Sequence, residues 1–167
     1  ITGITDSKLI KKVNYLTLAE AIKSQAIAYS IVEGSVDQIN EQGINYALVS
    51  AMNQVITELS AKIKSVREIC IVVDGRPPRN PPFITSQRQD WIIKGDQKIY
   101  SIAAASIIAK VHRDAIMKQL SREYPSYGWE HNMGYGTVSH REAIKIHGVT
   151  HHHRTLFIRK LLQNTTE

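Results

Sequence analysis

The sequence predicts an α/β fold in which helices pack on a central sheet. Two observations carry that prediction. The run Ile69-Cys70-Ile71-Val72-Val73 is continuously apolar, largely β-branched, and ends in Asp74-Gly75, as a buried parallel strand does. Segments with helical spacing alternate with short strand-like runs, and neither an internal repeat nor a low-complexity linker interrupts them.

Taken in order, residues 15–25 carry Leu16, Leu18, Ala19 and Ile22 at helical spacing, and residues 25–32 then read as a strand closed by Gly34. Residues 35–59 return to a helical pattern, with Gly43 separating a short helix from a longer one over 44–59. After the strand at 69–73, Arg76-Pro77-Pro78-Arg79-Asn80-Pro81-Pro82 reads as a loop, because proline cannot donate to a ladder. A short strand is expected around Trp91-Ile92-Ile93. The small-residue run from Ser101 predicts a helix through Glu123 that can approach a sheet closely, and residues 141–147 predict a short helix before a basic tail. A single domain over 1–167 is expected, with a helical and basic region from about residue 124.

At 167 residues and 43% hydrophobic content the chain suits one globular core. It contains no uninterrupted apolar run of membrane-spanning length, so a soluble, cytoplasmic protein is expected. The single cysteine, Cys70, excludes an intrachain disulfide and reads as a buried, inert thiol. A formal net charge of +6 favours polyanionic partners, since clustered Lys and Arg release counterions from a phosphate backbone. Part of that excess lies on helical faces such as 8–12, so charge alone selects no partner.

The chemistry-bearing residues are two aspartates placed after strand-like runs. Asp74 follows Val73, and Asp96 follows Lys94-Gly95. Carboxylates at strand ends lie where open α/β sheets bind ligands, and oxygen ligands suit Mg²⁺, which keeps several waters and takes phosphate oxygens. Either aspartate could instead cap its own Gly-containing turn. Asp114 lies four helical residues from both Lys110 and Lys118, a spacing that favours surface ion pairs. Lys94, Lys98 and Lys110 are candidate phosphate contacts, Lys94 foremost because it adjoins Asp96. Consecutive His151-His152-His153 rarely converge on one ion, so a transition-metal site is not expected there.

The order of these segments carries more than their composition. Val73-Asp74-Gly75, Lys94-Gly95-Asp96, the run from Ser101 to Val111 with Arg113-Asp114, and Tyr124 through Trp129 to Gly134-Tyr135-Gly136 together resemble the ribonuclease HII family. The resemblance runs from Asp6-Ser7-Lys8, similar to its D-S-K segment, to His153-Arg154-Thr155-Leu156-Phe157, similar to its terminal H-R-x-S-F. It implies a ribonuclease H-like fold, with a mixed central sheet flanked by helices, and an endoribonuclease acting on RNA–DNA hybrids and on duplex DNA carrying single ribonucleotides. Cleavage 5′ to the ribonucleotide by two-metal-ion hydrolysis with Mg²⁺ or Mn²⁺, a role in ribonucleotide excision during DNA repair, and a monomeric complete protein are expected with it.

By this resemblance Asp74 and Asp96 are catalytic carboxylates and metal ligands, corresponding to the third and fourth acidic residues of the family site. Tyr135, beside Gly134, would stack near the sugar at the RNA–DNA junction, where the 2′-hydroxyl distinguishes RNA. Lys94, Lys98 and Arg154 would contact nucleic acid. The chain departs from the pattern in three places. Asn132-Met133-Gly134-Tyr135 stands where the family commonly has H-K-G-Y, which removes a cation at Met133, and Leu156 replaces a serine. The D-E-x-G-R-G segment that supplies the other two carboxylates has no match, and the chain opens at Ile1, so it reads as a fragment or a processed product. A nucleic-acid-binding chain without cleavage is therefore the alternative expectation.

Overall fold

The computed structural model describes residues 12–63, 69–77 and 88–163. Helix α1 spans Lys12–Gln25, α2 Val36–Gln42, α3 Ile44–Lys62, α4 Tyr100–Glu123, α5 Trp129–Asn132, α6 Val138–His147 and α7 Thr155–Gln163; strands β1 and β2 span Ile71–Asp74 and Gln89–Ile92. The D-S-K segment and most of the proline-rich loop lie outside the described residues. The chain divides into two compact units, residues 1–33 with 48–111, and residues 34–47 with 112–167.

In the first unit, Tyr15, Ala19 and Ile22 fall at i, i+4 and i+7 on α1 and are buried with Ala103, Ile107 and Ile108 of α4. Ala103 and Ala104 keep the contact close, so the small-residue run of α4 serves packing against α1. β1 and β2 pair in parallel with Ile71 opposite Gln89 and Asp74 opposite Ile92, and the Gly75 amide extends the ladder by donating to the Ile92 carbonyl at 2.9 Å. This is an α/β arrangement whose sheet, among the described residues, has two strands.

Two expectations fail here. Residues 25–32 are not a strand: α1 continues to Gln25, and the segment after it joins no ladder among the described residues. Its groups turn to α3 instead, with Lys62 Nζ donating to the Tyr29 carbonyl at 2.9 Å and the Ser30 hydroxyl bonded to Glu58. Apolar alternation prescribes a strand only where another strand pairs with it, and Ile27 is left 90% exposed. Cys70 is exposed rather than buried, because it precedes the first laddered residue, Ile71; its thiol points to the Asp90 carboxylate at 3.6 Å.

In the second unit, Ser35 caps α2 by accepting the Gln38 amide at 3.0 Å, and Gly43 ends it with φ 89°, a conformation side-chain-bearing residues avoid. Asn40 of α2 donates to the His153 carbonyl at 3.2 Å. Met117, Tyr127, Trp129 and Ile144 form the unit's buried centre. The expected short helix begins earlier than residue 141, at Val138, because the Thr137 hydroxyl caps it by accepting the His140 amide. The basic tail expected after that helix includes a further helix, Thr155–Gln163.

Candidate active site

At the carboxyl end of β1, Asp74 reaches the next motif directly. Its Oδ1 accepts the Gly95 amide at 2.7 Å, across 21 residues of sequence. The 3-10 turn Gly95–Gln97 packs on β1, and Asp96 lies in its first turn. A Cβ at residue 95 would come within 2.6 Å of Ile102 Cδ1 and 3.4 Å of Asp74 Oδ1, which is why glycine stands there. The first unit thus brings Asp74 and the turn that carries Asp96 to one corner.

Lys94 enters that turn in the left-handed region, φ 55° and ψ 45°, which costs a non-glycine residue about 1–2 kcal/mol. Both Lys94 and Lys98 are exposed beside the acidic corner. Lys110 is not there: its ammonium lies 5.8 Å from the centre of the Tyr15 ring. Asp114 is half-buried in α4 and belongs to the second unit. Asp74 and Asp96 offer hard oxygen donors that fit a divalent cation. Among the described residues no group of three or more His, Cys, Asp or Glu side chains is placed to hold a metal.

The second unit holds Tyr135, whose ring is 71% exposed on a backbone bonded at both ends. Its amide donates to the Asn132 carbonyl at 2.8 Å, and its carbonyl accepts the Thr137 amide at 2.8 Å. Gly134 takes φ 76° and lies against Met117, where a Cβ would come within 3.3 Å of Cε, while Asn132 Oδ1 accepts the Gly134 amide at 2.8 Å. Asn132 Nδ2 donates to the Tyr127 carbonyl at 2.7 Å, so the residue standing where the family has histidine braces the turn. Arg113 Nη2 donates to the Met133 carbonyl at 3.2 Å, placing a guanidinium at the loop.

Arg154 is half-buried. Burial and then the nearby Arg113 guanidinium hold it below the ordinary arginine value, and Tyr135 acts in the opposite sense. His153 is buried; its Nδ1 accepts the Thr150 amide at 2.9 Å, and Nε2 has no partner among the described residues. Desolvation first, then His140, lowers its pKa. This histidine therefore supports the unit's core, and Arg154 beside it is the group able to meet an anion. Sequence reasoning missed Arg113 and His140. Thr137 is a capping residue type whose place ahead of the helix could have signalled its start, and nothing in the sequence signals what the His140 imidazole holds.

The comparisons with known proteins agree with the ordered motifs. The chain matches the family described as ribonuclease HII over residues 1–161. It is 41% identical over 162 residues to a protein named ribonuclease HII of Clostridium beijerinckii, covering 97% of this chain and 57% of that protein. A protein of the same name from Zymomonas mobilis is 43% identical over 164 residues, covering 97% of this chain and 74% of its own length. A third, from Chloroherpeton thalassium, is 42% identical over 157 residues, covering 92% and 72%. The chain thus spans little more than half of the Clostridium protein and nearly three quarters of the other two. With a family match across almost all of its residues, and with Asp74 and the Lys94-Gly95-Asp96 turn joined at one corner, this chain belongs to the ribonuclease HII family of enzymes.

Proposed function

We propose that the full-length protein is an endoribonuclease that cuts 5′ to ribonucleotides in RNA–DNA hybrids and in duplex DNA, leaving a 3′-hydroxyl and a 5′-phosphate. The observation that carries this reading is the hydrogen bond from the Gly95 amide to Asp74, which fixes the β1 end against the turn holding Asp96. Asp74 and Asp96 would hold Mg²⁺ or Mn²⁺. The cation supplies neutralisation of phosphate charge and acidification of a bound water, and the two-ion scheme needs more carboxylates than this corner contributes. The Gly95 amide orients the Asp74 carboxylate, which would hold the cation together with Asp96. Lys94 and Lys98 attract and orient the phosphates, and Arg154 meets the backbone where the second unit engages it.

Tyr135 supplies recognition. An exposed ring on a held backbone can lie flat against a ribose, and the neighbouring glycines allow the sugar to come close. Tyr135→Ala is expected to cost about 1–3 kcal/mol in kcat/KM at a lone ribonucleotide. Steady-state cleavage of a duplex with one ribonucleotide measures it, and unchanged kinetics would make the tyrosine structural.

Lys94 provides a test that separates fold from function. Lys94→Gly relieves the left-handed backbone and is expected to raise stability by up to about 1 kcal/mol while lowering cleavage. Denaturant unfolding and cleavage rates measured on the same preparation check both. A stabilised variant of undiminished activity would remove Lys94 from the phosphate contacts.

A second reading, nucleic-acid binding without cleavage by this chain alone, is favoured by the acidic count at the corner. One experiment separates the two. The full-length protein should cut a duplex carrying one ribonucleotide in Mg²⁺ or Mn²⁺ and leave it intact in EDTA. Residues 1–167 assayed on the same duplex test the second reading: binding without cleavage in either metal supports it, and metal-dependent cleavage refutes it. No helix among the described residues is long and apolar enough to cross a membrane, and the proposal places the protein in the cytoplasm as a monomer.

A further inference from the structure

The buried imidazole of His140 touches two groups whose chemistry fixes its tautomer. Trp129 Nε1 can only donate, and it lies 3.0 Å from His140 Nε2, so Nε2 is the acceptor. In the neutral ring the proton then sits on Nδ1, which lies 2.9 Å from the Tyr135 carbonyl oxygen, a group that can only accept. The two partners demand the same tautomer. His140 is mounted on the first turn of α6, whose start Thr137 caps, and the rings of Tyr127, Trp129 and His153 surround it.

We propose that His140 is a positioning residue for Tyr135: its Nδ1–H holds the peptide from which the exposed ring projects, and so sets the ring's approach to the ribose. The inference rests on the reading of Tyr135 as the sugar contact. His140 itself is 5% exposed, so the role assigned to it is indirect, through the Tyr135 carbonyl. The Tyr135 carbonyl receives two donors, Nδ1 of His140 and the Thr137 amide, so its direction is fixed by groups on the rigid helix start. Asn132 holds the other side of the turn through the Gly134 amide.

A merely structural role would consist of accepting the Trp129 N–H, and the two ring nitrogens allow the roles to be separated. His140→Asn places an amide donor near the Nδ1 position and abandons Trp129. His140→Gln places an amide acceptor near the Nε2 position and abandons the Tyr135 carbonyl. In the full-length protein, kcat/KM on a duplex with one ribonucleotide and the thermal midpoint are measured for both variants and for Tyr135→Ala. His140→Gln is expected to keep its midpoint near that of the native protein and lose about tenfold in kcat/KM, the scale on which small misplacements act. His140→Asn should lower the midpoint yet retain most of the activity when assayed well below it.

Native kcat/KM in His140→Gln, or activity that follows the midpoint in both variants, would overturn the inference. Should His140→Gln fail to fold, His140→Asn decides alone: retained activity supports the positioning role, and lost activity refutes it. If Tyr135→Ala is itself without effect, the reading of Tyr135 fails and this inference falls with it. A harmful Tyr135→Ala beside a fully active His140→Gln refutes the positioning role alone.

Discussion

Replacing either corner carboxylate by its amide, Asp74→Asn or Asp96→Asn, is expected to reduce cleavage at ordinary Mg²⁺ by at least about 100-fold, since losing even an outer partner of a metal ligand costs 10–100-fold. The fold should survive. Asp74 meets the Gly95 amide through one oxygen at 2.7 Å, and an asparagine oxygen can accept the same bond, so the β1 end stays joined to its turn. What disappears is the negative charge and the second carboxylate oxygen, the features a hard cation uses. Both amide variants should therefore unfold within about 0.5 kcal/mol of the native protein, as surface changes usually do.

Asp74→Ala makes the contrast. It also leaves the Gly95 amide without its partner, so a stability loss of about 1 kcal/mol should accompany the lost activity. Asp90→Asn serves as a control, because Asp90 pairs with Arg88 at 3.3 Å on β2 and has no place in the proposed chemistry. Cleavage rates across a Mg²⁺ titration, with denaturant unfolding of each variant, provide the measurement. Full activity in either amide variant would refute the metal assignment.

The parts of the fold that sequence announces are those fixed by local chemistry. Ser35 and Gly43 bound α2 because one supplies a capping oxygen and the other the φ 89° that only glycine adopts readily. Ile71–Asp74 is legible because a continuous β-branched run has few alternatives when buried. The strand expected at residues 25–32 joins no ladder among the described residues, since pairing depends on a neighbour the segment cannot specify. Cys70 was misjudged for a related reason: an apolar run does not say which of its residues the ladder takes first. Thr155–Gln163 presented its motif plainly, and the helix it forms was hidden behind that motif.

The site divides in the same way. Asp74, Asp96 and Tyr135 stand out through ordered motifs, whereas the contact between Asp74 and Gly95 spans 21 residues and no periodicity foretells it. His140 and Arg113 escaped because their roles lie in what they bond, the carbonyls of Tyr135 and Met133, and carbonyls leave no mark in a sequence.

The same dependence on contacts makes Trp129 the residue whose loss should cost the most stability. It is 2% exposed, stacks on Tyr127 with ring centres 5.0 Å apart and planes 18° from parallel, and meets Tyr124 at 5.6 Å. Trp129→Ala removes that area and leaves a cavity among Met117, Tyr127 and Ile144, for which about 3–5 kcal/mol is expected. It also strips the donor from His140 Nε2, so the tautomer that serves Tyr135 loses one of its two supports. Trp129→Phe separates these effects, because a phenyl ring keeps much of the stack but has no N–H; about 1–2 kcal/mol should be lost. Amide exchange localises the change. Protection within α6 should fall by orders of magnitude in Trp129→Ala, while the Tyr15, Ala19 and Ile22 face of α1, which belongs to the other cluster, should retain more of its own. If Trp129→Ala instead unfolds within about 1 kcal/mol of the native protein, the aromatic cluster is not the centre that holds α5 and α6 together.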